Sequence, residues 1–396
     1  MTENIEIALK AYEEKDFKEA FKYFKLEKNN EKSHDFDKKY SFKFIKTIYD
    51  SIIKEMKEIN NENKEYIIYI MTHLKNSDVF YKITVFKVVE ILFKKQNPEY
   101  DKIIKWLEKL EVEFLSDEQQ KYESNGKNIV KSSEKEKYYM QLSKAYEKLK
   151  NYEKAKEISM EALENLKEFS NDSDIWLKRR VAEYDVDNKN YDKALSIYKD
   201  IQKKKNDWFI LREIGIIYLK KCEFTKGKNY LLDAACAYGE VNKKLNLFLD
   251  LYTHLKDYDE KLAIISLKIY FKIRLEENWK ITSKDKEMAE LENIELSKEE
   301  LIKISIKRFL ENCKELRWKD EVFYKGKVDS IKDKFFFIKR ESGERYYCKT
   351  KEYPSKKGPV IGTPLKFNLI ETFDNKKNKY GFSAINLKFE SSEEAL

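Results

Sequence analysis

Histidine is nearly missing from this chain. Only His34, His73 and His254 occur in 396 residues. No two of them pair in a way that suggests metal ligation, and none has an Arg or Asp at a spacing typical of a ribonuclease motif. His34 beside Asp35 reads as a solvated loop residue, and His254 as a packing or surface residue on a helix. Cysteine is sparse as well. Cys222, Cys236, Cys313 and Cys348 include no C-x-x-C pair, which argues against a disulfide framework and a thiolate zinc site and leaves four reduced, structural thiols. A phosphate-binding glycine loop, a Gly-x-Ser-x-Gly elbow and a metal-ligand cluster are all lacking. These absences point away from an enzyme, and no cofactor or metal is expected. Acidic pairs such as Asp257 and Asp259 fall in turns, where carboxylates cap helices anyway. A metal-dependent nuclease built from dispersed carboxylates is the one enzyme class left open.

Long apolar runs are missing too. No stretch of eighteen apolar residues exists, so no membrane span is expected. The opening MTENIEIALKAYEEKDF lacks the basic-then-apolar order of a signal peptide, and a cytoplasmic location is expected. With 38% charged residues and a mean hydropathy of -0.76, the chain reads as a soluble protein with much exposed helical surface. A length of 396 residues suffices for two or three domains. Lysine supplies nearly all the positive charge, a pattern that AT-rich coding explains without any appeal to function.

Glycine and proline are scarce and unevenly placed. Five of nine glycines and three of four prolines fall between Glu321 and Glu390. That stretch also holds 16 Lys/Arg against 9 Asp/Glu, a net of +7 in a chain whose total is +8. Upstream of it the pattern is helical; within it the alternation has period two. Function is therefore sought first in this basic, strand-forming module.

The helical part repeats itself. Asn151-Tyr152-Glu153-Lys154-Ala155 returns as Asn190-Tyr191-Asp192-Lys193-Ala194, as Glu223-Phe224-Thr225-Lys226-Gly227 and as Asp257-Tyr258-Asp259-Glu260-Lys261. The aromatic positions are 39, 33 and 34 residues apart. A period near 34 with two helices per unit resembles the tetratricopeptide repeat. Leu142, Tyr146, Tyr152, Ala155 and Ala162 stand at that family's characteristic offsets, as do Gly215, Tyr218, Phe224, Gly227, Leu231 and Ala234. The packing logic is that a small residue in one helix lets its neighbour approach, and an aromatic at the break fills the gap between hairpins. No single hairpin buries its apolar face, so several must stack.

Residues 2–24 read as a helical hairpin broken at Asp16-Phe17. Tyr66–Ile70 and Val85–Phe93 read as buried helices of divergent repeats, and Pro98 as the opening of a further helix. Ser116–Gln119 and Ser297–Glu300 resemble capping boxes. A polar loop is expected over 123–136, a helix over Leu262–Leu275, and one helix from Ser297 to about Trp318.

In the terminal module five strands are expected, at about 323–331, 334–340, 345–350, 364–372 and 380–388. A hairpin turn is placed at Glu341-Ser342-Gly343-Glu344. Five strands in some seventy residues suit a small closed barrel of the OB type. The module resembles a cold-shock domain. Gly326-Lys327-Val328 looks like that family's opening strand, and Lys334-Phe335-Phe336-Phe337-Ile338 stands at its first ribonucleoprotein motif. Tyr346-Tyr347-Cys348-Lys349 stands at the second motif. Gly362–Phe367 and Ala384–Leu387 look like the last two strands. Ser330 replaces the family's exposed tryptophan, Lys349 its histidine, and Lys334 and Phe336 its two glycines.

The resemblance implies bases stacked on Phe335, Phe337 and Tyr347, with Lys327, Lys334, Lys339, Arg345 and Lys349 as a basic rim. The alternative for these rings is the interior of the barrel, although three consecutive phenylalanines put at least one on each face. The fold class expected is an α-solenoid of tetratricopeptide-like hairpins followed by a five-stranded OB/cold-shock-like β-barrel. Its expected parts are divergent repeats over 1–135, repeats with a capping helix over 136–320, the barrel over 321–390 and an acidic tail over 391–396. Two functions fit this plan. One is a non-enzymatic adaptor that docks a protein through the solenoid and binds single-stranded RNA or DNA through the barrel. The other is a peptide or protein receptor whose barrel serves as a protein-docking or regulatory module.

Overall fold

Four of the breaks share one backbone design, whereas the one expected at Asp257-Tyr258 departs from it: Lys256 keeps φ -53° and the next helix starts at Glu260, two residues beyond Tyr258. Lys15, Lys150, Lys189 and Cys222 precede Phe17, Tyr152, Tyr191 and Phe224 by two residues, and all four adopt a left-handed conformation with φ between 59 and 63°. The next N–H then reaches back five residues. Asp16 N donates to Ala11 O at 2.9 Å, Asn151 N to Tyr146 O at 3.0 Å, Asn190 N to Asp185 O at 2.7 Å and Glu223 N to Tyr218 O at 2.9 Å. This bond satisfies a carbonyl orphaned at the helix end and turns the chain into the next helix. Asp16 and Asn151 then cap that helix, accepting from the backbone N–H groups of Glu19 and Lys154.

A computed structural model describes residues 2–29, 36–124, 126–374 and 377–390. His34 and the 391–396 tail lie outside the described residues. The chain divides into two compact units, Met1–Asn190 and Tyr191–Leu396. Among the described residues seventeen α-helices precede a five-stranded sheet, and none is long and apolar enough to cross a membrane.

The first unit contains α1 (Glu3–Glu13), α2 (Phe17–Lys28), α3 (Phe36–Ile48), α4 (Asn61–His73), α5 (Val79–Lys94) and α6 (Tyr100–Leu107). A hairpin of β1 (Gln120–Ser124) and β2 (Lys127–Lys131) follows, then α7 (Glu134–Lys148), α8 (Tyr152–Asn165) and α9 (Ser173–Asp187). The expected buried helices are α4 and α5; α5 carries Val85, Val88 and Val89 at zero exposure, whereas α4 buries Ile67 and Ile70 and leaves Ile68 exposed. Pro98 lies two residues before α6 rather than inside its first turn.

Two local expectations give way here. Half of the loop expected over 123–136 is strand and its last three residues open α7; Glu123 pairs across to Asn128 and Tyr122 to Ile129. The hairpin covers no core, so its side chains read as polar and its pairing leaves little trace in composition. Ser116 caps no helix; its Oγ accepts from Glu118 N at 3.1 Å in a local turn instead.

The second unit holds α10 (Tyr191–Lys204), α11 (Trp208–Lys220), α12 (Phe224–Cys236), α13 (Leu245–Leu255) and α14 (Glu260–Glu276). After these come α15 (Ser283–Leu291), α16 (Lys298–Ile302) and α17 (Ile306–Trp318). The helix expected from Ser297 to Trp318 is thus two helices. Ser297 caps the first and Ser305 the second, accepting from Arg308 N at 3.3 Å.

Helices α11 and α12 touch through glycine. A Cβ on Gly227 would stand 2.5 Å from Leu219 Cγ and 3.0 Å from Gly215 O. Alanine normally favours a helix interior by about 1 kcal/mol. At this contact overpacking outweighs that gain, and Gly227→Ala is expected to destabilise the unit by about 1–3 kcal/mol. Denaturant titration followed by circular dichroism at the helix band checks the sign.

The sheet is formed by β3 (Tyr324–Ile331), β4 (Phe335–Lys339), β5 (Arg345–Lys349), β6 (Pro364–Asp374) and β7 (Lys379–Phe389), close to the expected positions. Its strands pair in the order β3-β4-β5-β7-β6, with β6 pairing back to β3. Only the β5–β7 pair is parallel. The turn between β4 and β5 closes through Gly343 at φ 95°, whose N–H donates to Arg340 O at 3.0 Å. Val328, Phe336, Ile338, Cys348, Leu365, Phe367, Ala384 and Leu387 fill the sheet's interior. Gly326 is a site of close approach, because a Cβ there would lie 2.7 Å from Lys339 O. Any other residue would force β3 away from β4.

Candidate nucleic-acid interface

Alternation along β4 decides where its rings go. Phe336 and Ile338 have zero exposure and face the interior, which leaves Phe335 and Phe337 half-buried on the outer face. In β5, Cys348 is buried and the half-buried Tyr346 packs against the interior, which leaves the half-buried Tyr347 on the outer face opposite Phe337. The three outer rings touch one another. Phe335 and Tyr347 have centroids 5.3 Å apart, Phe335 and Phe337 5.7 Å, and Phe337 and Tyr347 6.3 Å. Phe337 stands edge-on to the other two, at 90° to Phe335 and 76° to Tyr347, while Phe335 and Tyr347 are tilted by 36°, and the cluster forms a semi-rigid apolar surface.

Cations frame these rings. Cross-strand register sets Lys349 beside Phe335, and it sets Lys327, Lys339 and Arg345 in one row across three strands. Lys334 is exposed at the entry to β4. Like charges directly opposite one another destabilise a sheet, so this row carries a cost that a polyanion would relieve. Among the described residues Arg345 is the one of these cations with an ion pair, its Nη2 lying 2.5 Å from Asp329 Oδ2, while Lys327 is in electrostatic reach of Glu390. Among the described residues Lys327, Lys334, Lys339 and Lys349 form no ion pair. The structure therefore brings seven of the eight candidate residues onto one outer face, with Lys334 at its margin.

Two further residues belong to this face. Ser330 Oγ accepts from Arg345 Nη2 at 2.9 Å, and Arg345 Cζ lies 5.0 Å from the Phe337 centroid. Asp329 and Ser330 sit at a bulge, where the β3–β4 register shifts between Val328 and Ser330. The trace of this in sequence is slight: consecutive polar residues where period-two alternation stalls. Beside Tyr347, β7 contributes Ser383 as its parallel partner.

Of the four cysteines, Cys222 is exposed and the other three are engaged in packing. Burial pushes the Cys348 thiol up to about 12 and that of Cys236 to about 11, and it raises Cys313 as well. These thiols stay protonated at neutral pH and are poor nucleophiles. His254 on α13 is lowered from its ordinary value by burial, against the pull of Asp250. His73 has both ring nitrogens engaged, Nδ1 at 2.9 Å from Tyr69 O and Nε2 at 3.4 Å from Asp37 Oδ2. Asp259 caps α14, accepting from Leu262 N at 2.9 Å. Among the described residues no group of His, Cys, Asp and Glu is arranged to hold a metal ion.

Comparison with known proteins bears on the helices. The family model described as the tetratricopeptide repeat protein 21 ARM repeat matches residues 80–225, from α5 to the start of α12. No curated protein matches the sequence. A solved structure with similarity is a tetratricopeptide repeat protein from Parabacteroides merdae ATCC 43184. It has 13% sequence identity and a TM-score of 0.31, with 80% of this chain and 97% of that chain covered. Helical hairpins, recurrent breaks and the family match together make the chain a helical-repeat protein.

Proposed function

We propose that this chain is a non-enzymatic adaptor of the cytoplasm. Its helical repeats dock a protein or peptide partner, and its terminal sheet is a cold-shock-like OB barrel that binds single-stranded RNA or DNA. The observation that carries the second half is the outer face of β4 and β5. Three mutually packed, half-buried rings lie there beside four lysines without ion pairs. Stacking on aromatic side chains contributes about 1–3 kcal/mol per base and tolerates any sequence, because every base has a π-face. The lysines add an attraction that salt screens. The cyclic strand order and the placement of the rings on the second and third strands of the sheet support the OB reading. The helical-repeat fold supports a protein partner, since stacked hairpins expose extended surfaces suited to one.

The full-length protein should bind a labelled single strand of about ten nucleotides, and unlabelled single strand should compete better than duplex of the same sequence. No binding at low salt would refute the nucleic-acid half. One observation favours the receptor reading in that case: Val360 and Ile361 in the β5–β6 connection are 61% and 65% exposed. A protein partner retained after nuclease treatment, with no bound nucleic acid, would be its signature.

A further inference from the structure

The rings at 335, 337 and 347 share their face with a fourth flat group. Arg345 Cζ is 5.0 Å from the Phe337 centroid, so the guanidinium covers part of that ring. It is held there from behind. Nη2 donates to Ser330 Oγ at 2.9 Å and pairs with Asp329 Oδ2 at 2.5 Å. The β3 bulge makes this possible by bringing two consecutive polar residues to the strand position opposite Phe337. The Arg345 side chain nevertheless remains 50% exposed.

This arrangement differs from that of a phosphate-binding cation. The charge of Arg345 is already partnered by a carboxylate, whereas the neighbouring lysines are unpaired. A carboxylate beside a backbone-binding cation would repel the phosphate it is meant to hold. What Asp329 and Ser330 do supply is orientation. A guanidinium is planar, delocalised and weakly hydrated, and it stacks on aromatic rings and on bases alike. Pinned at one nitrogen, it presents a plane of fixed position to a ligand lying across the platform.

Building on the single-strand reading above, we propose that Arg345 is a fourth stacking plane of the site. Asp329 and Ser330 are its positioning residues, and phosphate contact falls to Lys327, Lys334, Lys339 and Lys349. The segment of ligand crossing Phe337 and Arg345 is then held by its bases, and the segment along the lysines by its backbone.

The test separates plane from charge in the full-length protein, with a labelled single strand of about ten nucleotides as probe. Arg345→Lys keeps the cation and its reach to Asp329 but removes the plane. It should weaken binding about tenfold while leaving the slope of log affinity against log salt unchanged. Arg345→Trp restores a plane without the charge and should hold affinity within about threefold of the parent. Asp329→Asn is the sharpest arm. Removing a negative charge should tighten binding if Arg345 acts by electrostatics, and should weaken it if the carboxylate positions a stacking plane.

An Arg345→Lys protein that binds like the parent, or an Asp329→Asn protein that binds more tightly, overturns this assignment and leaves the single-strand reading intact. Failure of the parent protein to bind any single strand overturns both. Matching thermal unfolding of parent and variants shows that a loss is not one of folding.

Discussion

Alanine at Phe335, Phe337 or Tyr347 is expected to weaken binding of a short single strand by about ten- to a hundredfold each, the loss of one stacked base. The fold should barely register the change, at about 1 kcal/mol, because these rings are half-buried and cover no interior position. The three rings touch one another, so their effects will not add. The first substitution removes a base contact and also loosens the support of the other two rings. The triple variant should therefore bind no more tightly than its lysines and Arg345 allow, and most of what remains should vanish with added salt. Fluorescence anisotropy with the full-length protein reads both quantities. Undiminished affinity in the triple variant would remove the platform from the account.

Phe336→Ala should behave in the opposite way. This ring has zero exposure and sits among Ile338, Cys348, Leu365 and Phe367. Its loss leaves a cavity among these groups, and the expected cost is about 3–5 kcal/mol. Amide hydrogen exchange across β3, β4 and β5 reports this locally, which matters in a chain of two compact units whose global unfolding need not be a single step. Protection should collapse in the Phe336 variant and persist in the Phe337 variant. Equal loss of protection in both would mean that β4 does not present alternate faces as described. On the proposed function, neighbouring residues of one type would carry two different burdens, stability at 336 and binding at 335 and 337.

Such a distinction was only half legible in the amino-acid pattern. Three adjacent phenylalanines on a strand must divide between its faces, but which face is interior depends on Val328, Leu365 and Leu387 from other strands. Long-range register decides that, and no local signal carries it. The helical breaks were easier to read because their aromatic residue returns about every 34 positions. Their backbone design was less so: a left-handed residue usually calls for glycine or asparagine, and here lysine and cysteine fill it. Tertiary packing of the flanking helices outweighs the local preference. Ser305 went unread as a cap for a similar reason, since no acidic residue follows it in the first turn of α17. The β1–β2 hairpin covers no core and so had no hydrophobic alternation to betray it. Asp329 and Ser330 become part of the site only through a bulge and an arginine fifteen residues away.

The proposed single-strand site on the outer face of β4 and β5 joins a stacking platform to a rim of lysines without ion pairs. Its most direct test is the salt dependence of single-strand binding by the full-length protein. Four lysine contacts predict a slope of about -3 for log affinity against log salt, or about a fiftyfold loss between roughly 50 and 200 mM. Beyond the screened range a salt-insensitive remainder should persist, set by the rings and abolished with them. A slope near zero, or binding that is strong but indifferent to Phe335, Phe337 and Tyr347, would contradict the account.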